Sequence, residues 1–273
     1  MKASELMHEQ ESEFHYSHSS SEYAPKVNPH FHTGYELLLL QKGDVGYIVE
    51  SNQYEMSVGD LMITNPRELH YPVFHSRAPY ERSLIFLKPT YLSEFVSGNY
   101  DPFAALEKRK IGTQNRIPVE VVQEYGIDKK INLIGELSAS DTPEREVLIK
   151  SHLIQLLVVL NRVVITELSG FRSSKMEDII AYINQNLTES LTLEHLAEHF
   201  YLSKFHISHM FKERTGFSFT EYLTCKRVML AKELILSGLP LGQVCDETGF
   251  GDYSGFYRAF KKVLGISPSD LKK

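Results

Sequence analysis

The sequence predicts an α+β protein in two parts: strands first, then helices that end in a duplicated helix-turn-helix. Three observations predict it. Between residues 10 and 90, short apolar or alternating segments are separated by turn residues. From residue 91 onward the apolar residues recur with helical spacing. Near the C-terminus one pattern is written twice, 49 residues apart: Phe211-Lys212, then Gly216 and Ser218, returns as Phe260-Lys261, Gly265 and Ser267.

A chain of 273 residues with 42% hydrophobic content can bury two ordinary cores. The opening Met1-Lys2-Ala3-Ser4-Glu5 carries no apolar run, and the longest apolar stretches are broken by Lys150, His152 and Asn161. A cytoplasmic protein with no membrane partner is therefore expected. Cys225 and Cys245 sit in apolar helical patterns at no metal-binding spacing, so both are expected to be buried thiols. The net charge is -6, yet from Ser174 onward 12 Lys and Arg balance 12 Asp and Glu. The acidic excess therefore belongs to the preceding part, and a neutral C-terminal part must bind any nucleic acid through the placement of its cations rather than bulk attraction.

In the first part the expected strands are 35–40, 45–50, 61–64 and 83–87, separated by Gly43-Asp44, Ser51-Asn52 and Gly59-Asp60. Such spacing suggests a small barrel or sandwich. A weaker helix is expected over 119–137 and a long one over 143–167, started by Pro143 with Glu144 and Glu146 beside it. Leu148, Leu153, Ile154, Leu156, Leu157, Val158, Val159, Leu160, Val163 and Val164 give that helix more than one apolar stripe. Burial within its own domain and pairing with a second copy both fit this pattern. The Ser169-Gly170-Phe171-Arg172-Ser173-Ser174 stretch marks the boundary, giving domains at 1–168 and 176–273 joined by a linker at 169–175.

In the second part, residues 177–187 carry Ile179, Ile180, Ile183 and Leu187 on one face. Thr192 is the expected N-cap of a helix through Leu193, Leu196, Ala197 and Phe200, and Ser203 that of the next, from Lys204 to about Arg214. Ile207, Met210 and Phe211 form its inward stripe, which leaves Lys204, Phe205, Ser208, His209 and Lys212 outward. A connecting helix of sixteen residues is expected from Glu221, with Gly238 as its C-cap. The second unit starts at Pro240, and Asp252 caps a helix with Phe256, Phe260, Val263 and Leu264 inward. Tyr253, Ser254, Gly255, Arg258 and Lys261 then face outward.

These outward faces are what recognition helices need. Hydroxyl and imidazole groups hydrogen-bond base edges, Phe205 suits a thymine methyl, and Lys204 and Lys212 suit phosphates. Arg258 is the best candidate for a bidentate contact to guanine or phosphate. His206 reads as a packing or phosphate contact.

Residues 176–273 resemble the DNA-binding domain of the AraC family of transcriptional regulators. The resemblance is carried by Leu193-x-x-Leu196-Ala197, by Ser203-x-x-x-Ile207-x-x-x-Phe211-Lys212-x-x-x-Gly216, and by Gly249-Phe250 through Ser254, Phe256, Phe260-Lys261, Gly265 and Ser267-Pro268. Where the family usually has an aromatic-Arg pair after the Ser-Pro turn, this chain has Leu271-Lys272. The resemblance implies a cupin-like, effector-binding β-barrel with a helical dimerisation segment in the first part. Its matching segment is His30-Phe31-His32-Thr33-Gly34-Tyr35-Glu36, Gly59-Asp60 and Asn65-Pro66 followed by His70.

Strand alternation puts His30 and His32 on one face, and a barrel return could bring His70 to them. In metal-binding cupins such a set ligates a divalent ion, whereas many AraC-like regulators use the segment for packing or for an organic effector. An effector site of His30, His32, Glu36 and His70, with no resident metal, no cofactor and no catalytic residue, is the leading expectation. A sugar or related polar metabolite suits it. The partners expected are double-stranded DNA across two adjacent major-groove segments, the effector, a second copy of the chain and RNA polymerase. The alternative is a metal-dependent cupin enzyme, an isomerase or oxygenase, fused to a DNA-binding module.

Overall fold

Strand alternation in the first part sorts side chains onto two cores. The structure, a computed structural model, describes residues 12–23, 25, 27, 29–30, 32–95, 100–166 and 175–271. The linker residues 169–174 and Lys272 lie outside the described residues. The chain divides into two compact units, Met1–Arg172 and Ser173–Lys273.

In the first unit, β1 (Phe14–Ser21), β7 (Tyr80–Leu87), β2 (Tyr35–Lys42), β5 (Leu61–Thr64) and β8 (Arg116–Ile117) form one antiparallel sheet in that order. A second sheet runs β4 (Asn52–Glu55), β3 (Val45–Val49) and β6 (His70–Phe74). Successive residues of β2 point to opposite faces. Leu38 and Leu40 pack with Val45, Tyr47 and Val49 between the sheets, while Tyr35, Leu37 and Leu39 pack against the helices. Burial on both faces explains why β2 reads as a continuous apolar run. Among the described residues no ladder joins the sheets into a closed barrel, so the expected barrel is an open one. The Asn52 expected in a turn instead opens β4.

The helical layer comprises α1 (Ala104–Glu107), α2 (Val119–Glu124), α3 (Ile127–Ser138) and α4 (Arg145–Thr166). The single helix expected over 119–137 is two, because Gly126 adopts φ 62° and interrupts it. In α4, Ile149, Leu153, Leu156, Leu157, Leu160, Val163 and Val164 are buried in the core beneath the larger sheet. This burial accounts for most of the apolar character of the helix. Val147 and Leu148 of its first turn are exposed.

The second unit is helical: α5 (Lys175–Gln185), α6 (Leu193–Phe200), α7 (Lys204–Thr215), α8 (Phe219–Leu236), α9 (Leu241–Glu247), α10 (Tyr253–Leu264) and the short α11 (Pro268–Leu271). Its helix starts follow from local chemistry. Thr192, Ser203 and Asp252 each accept a hydrogen bond from the backbone three residues on. The connecting helix starts earlier than expected, because Ser218 and Glu221 form a reciprocal capping box that places Glu221 inside the first turn. Its 18 residues span about 27 Å. Gly238, at φ 94°, follows the C-cap Ser237 rather than occupying it. Cys245 is buried and Cys225 half-buried, both as free thiols.

Candidate functional site

The histidine cluster is assembled by strand register. His30 and His70 exchange both backbone hydrogen bonds at 3.2 Å, extending the edge of the smaller sheet to meet the His30 segment. His32 and Glu36 reach the same point from either side of Gly34. That glycine passes so close to β7 that a Cβ there would lie 2.7 Å from the Leu87 carbonyl and the Phe86 ring. Its carbonyl accepts from His32 Nδ1 at 2.7 Å. The remaining His32 nitrogen, Nε2, lies 3.4 Å from Glu36 Oε2 and 3.5 Å from Thr64 Oγ1. Phe86 forms a wall against the His32 ring, with centroids 5.7 Å apart.

His70 is fixed in the same manner. Its Nδ1 donates to the Glu68 carbonyl at 2.9 Å, which turns Nε2 inward, 3.9 Å from Glu36 Oε1. Among the described residues, that buried Nε2 has no hydrogen-bond partner. The His70 ring stands 4.6 Å from that of His30 and 4.7 Å from that of His32. All four residues expected from sequence are therefore brought together, and His30, Glu36 and His70 each offer a donor atom within 4.8 Å of the others.

The electrostatics keep the pair in complementary states. Burial alone would raise the Glu36 carboxyl, but the hydrogen bond and charge of His32, followed by His70 and Arg82, outweigh it and hold the group well below the usual carboxylate range. Burial, followed by repulsion from His30 and His32, pushes His70 well below the ordinary imidazole range. The surroundings thus favour the charged form of the Glu36 carboxyl and the neutral form of the His70 imidazole that faces it. This arrangement can accept hydrogen bonds from hydroxyl groups or coordinate a cation.

Sequence reasoning missed the support beneath the cluster. Glu68 is fully buried and receives Arg109, the Asn115 side chain and the backbone N–H groups of Asn65 and Gly112. Arg109 and Asn115 lie more than forty residues from Glu68 in sequence. No local spacing signals them.

In the second unit the outward residues of α7 and α10 divide. Lys204, Phe205, His209, Lys212, Tyr253, Ser254, Arg258 and Lys261 are exposed, whereas Ser208 and Gly255 are half-buried. Gly255 already donates its N–H to the Asp252 cap. Lys204 pairs with Glu194 at 3.3 Å, and Lys212 donates to the Gly216 carbonyl at 3.0 Å. His206 is exposed rather than packed. Two further exposed aromatic or basic groups adjoin these faces, Tyr201 in the first turn and Lys262 on α10. Tyr201 takes a left-handed conformation, φ 54°, where glycine commonly ends a helix.

A strand sandwich with a polar cluster, joined to a duplicated helix-turn-helix unit, defines an effector-controlled DNA-binding regulator. The family models agree: residues 17–157 match the AraC-like ligand binding domain and residues 196–273 match a helix-turn-helix domain. The chain belongs to the AraC family of transcriptional regulators. It is 27% identical over 248 residues to the arabinose operon regulatory protein of Salmonella typhimurium, covering 88% of this chain and 83% of that one. It is 24% identical over 245 residues to the transcriptional activator RhaS of Yersinia pestis, covering 89% and 88%. Among solved structures, apo ToxT from Vibrio cholerae aligns over 96% of this chain and 98% of that one, at 14% identity and a TM-score of 0.42.

Proposed function

We propose that this chain controls transcription in response to a polar, hydroxylated small molecule held by His30, His32, Glu36 and His70. The observation that carries this reading is the buried Glu36 carboxyl facing the inward Nε2 of His70, which has no hydrogen-bond partner among the described residues. A ligand hydroxyl donates to either atom, and a buried acceptor left unsatisfied costs about 1–3 kcal/mol. The relative named for the arabinose operon supports a sugar or similar metabolite as the class.

On the DNA side, the exposed residues of α7 and α10 read two adjacent major-groove segments, with Arg258 as the principal base contact and Lys212 and Lys261 on phosphates. The protein acts in the cytoplasm as a homodimer that contacts RNA polymerase, and it catalyses no reaction. Its relatives named as transcriptional regulators support the regulatory role itself.

The test is to footprint the purified full chain on its own genome, then measure operator affinity with and without compounds handled by the products of neighbouring genes. A cognate compound should change operator affinity, typically ~5- to 150-fold, and Glu36→Gln should remove that change. If no compound that binds the wild type alters its operator affinity, the regulatory reading fails.

A further inference from the structure

We propose that Arg227 is a positioning residue for DNA recognition, which holds the two recognition helices in one mutual orientation and so sets the spacing of the two groove segments that the protein accepts. This deepens the DNA side of the proposed function and rests on the reading that α7 and α10 each enter the major groove.

The connecting helix α8 carries both helix-turn-helix units on one rod. Near its start, Phe219 and Tyr222 pack against Phe211 of α7, with ring centroids 5.7 and 5.5 Å apart. Toward its end, Val228, Ala231 and Ile235 share a core with Val244 and Cys245 of α9 and with Phe256 and Phe260 of α10. Those contacts fix the place of each unit along the rod. Rotation about the rod is the freedom they restrain least, because a contact close to an axis has little leverage on rotation around it. A tie that stands off the axis removes that freedom.

The turn after α5 supplies such a tie. Its helix is gripped by the first unit through Tyr182, whose ring packs on His199 at 4.0 Å and meets Phe200 edge-on, and whose hydroxyl lies 3.2 Å from His195 Nε2. Just past the end of α5, Arg227 donates from Nε to the Leu187 carbonyl at 2.9 Å and from Nη2 to the Glu189 carbonyl at 2.6 Å. Thr188, between them, faces the second unit: its carbonyl oxygen sits so close to Gly249 that a Cβ there would stand 2.7 Å away. Residues 187–189 therefore meet α8 and the second unit while α5 meets the first. Hydrogen bonds from a cation are roughly twice as strong as neutral ones, and a positive charge suits carbonyls at a helix end. The planar fork of the guanidinium engages both carbonyls in a fixed geometry that a single ammonium does not reproduce.

The test measures the affinity of the full chain for the operator recovered by footprinting and for duplexes with one base pair inserted or removed between the segments read by α7 and α10. Each change moves one segment by about 3.4 Å and turns it by roughly 35°. Wild type should bind the altered duplexes at least ~10-fold more weakly, the scale of one lost base contact. Arg227→Ala should bind the native operator more weakly and lose most of this discrimination, with Arg227→Lys between the two. A role in stability alone would lower affinity for every duplex by the same factor. Circular dichroism and thermal melting check the fold of each variant. Should Arg227→Ala fail to fold, Arg227→Lys and Tyr182→Leu, which loosen the two ends of the tie, carry the test. Wild-type spacing discrimination retained in the folded variants overturns the proposal and leaves the two-segment reading standing. A wild type indifferent to spacing overturns both.

Discussion

Glu68 and Arg109 meet as a buried bidentate pair: Arg109 Nη1 and Nη2 lie 2.5 Å from Glu68 Oε1 and Oε2, and both side chains are shielded from solvent. The backbone carbonyl of the same Glu68 orients His70 through its Nδ1. One residue therefore ties a structural ion pair to the ring at the centre of the candidate site.

Removing one partner of a buried pair leaves the other charge uncompensated. Arg109→Ala should destabilise the N-terminal unit by about 3–5 kcal/mol, whereas an exposed pair such as Lys108–Asp101 should contribute under ~1 kcal/mol. Calorimetry of the full chain checks this. The transition of the N-terminal unit should fall in temperature while that of the helical unit stays in place.

Gly249 ends the first helix of the second helix-turn-helix at φ 73°, and a Cβ there would stand 2.7 Å from the Thr188 carbonyl oxygen and 3.0 Å from Arg227. Neither neighbour yields easily, because Arg227 is engaged by the carbonyls of Leu187 and Glu189 at 2.9 and 2.6 Å. Gly249→Ala should cost at least the roughly 1–2 kcal/mol of the left-handed conformation itself. Gly238, also at positive φ but with open space around it, should cost no more than that strain. Urea denaturation of the two variants should rank them in that order.

Tyr47 and Tyr80 share a buried hydroxyl–hydroxyl bond of 2.8 Å between the sheets. Burial raises the pKa of both phenols in the folded state. A raised folded pKa means that this stability is complete below the unfolded tyrosine value, about 10, and is lost as pH climbs above it. The N-terminal unit should therefore loosen progressively above about pH 10, with tyrosinate absorbance rising in step with the loss of circular dichroism. Full ionisation of both phenols with the circular dichroism signal still intact would contradict this account.

The recognition helices should separate by role. Arg258→Ala should cost about 1–3 kcal/mol on the native operator and relax specificity at one base position. Lys212→Ala should weaken binding to all sequences and flatten the salt dependence by about one unit. Electrophoretic shifts on native and scrambled operators, at two salt concentrations, measure both effects.

The helical unit is legible in the sequence because its signals are local. Thr192, Ser203 and Asp252 cap helices through bonds to residues three positions away. The phenylalanine stripe of Phe256 and Phe260 is set by helical pitch alone. The strands are legible in part. Residues 61–64 read directly, whereas β1 and β4 carry too many half-exposed polar residues to stand out as strands. The connecting helix begins two residues before Glu221, whose side chain serves as the capping partner of Ser218 rather than marking the helix start.

By itself the sequence determined the order of strands before helices, the doubled helix-turn-helix and the histidine-glutamate residues of the candidate site. Within each helix-turn-helix unit, and within the His30-x-His32-x-x-x-Glu36 segment, the signals are written in short local spacings. The tertiary structure decided the rest: that burial and neighbouring groups together push the Glu36 carboxyl and the His70 imidazole down in pKa, that His70 Nε2 faces inward with no hydrogen-bond partner among the described residues, and that Arg109 anchors Glu68 beneath them. Those properties arise from burial and from the register of strands distant in sequence. A pKa, a tautomer and a buried pair depend on what the fold places around a group, which local spacing does not specify.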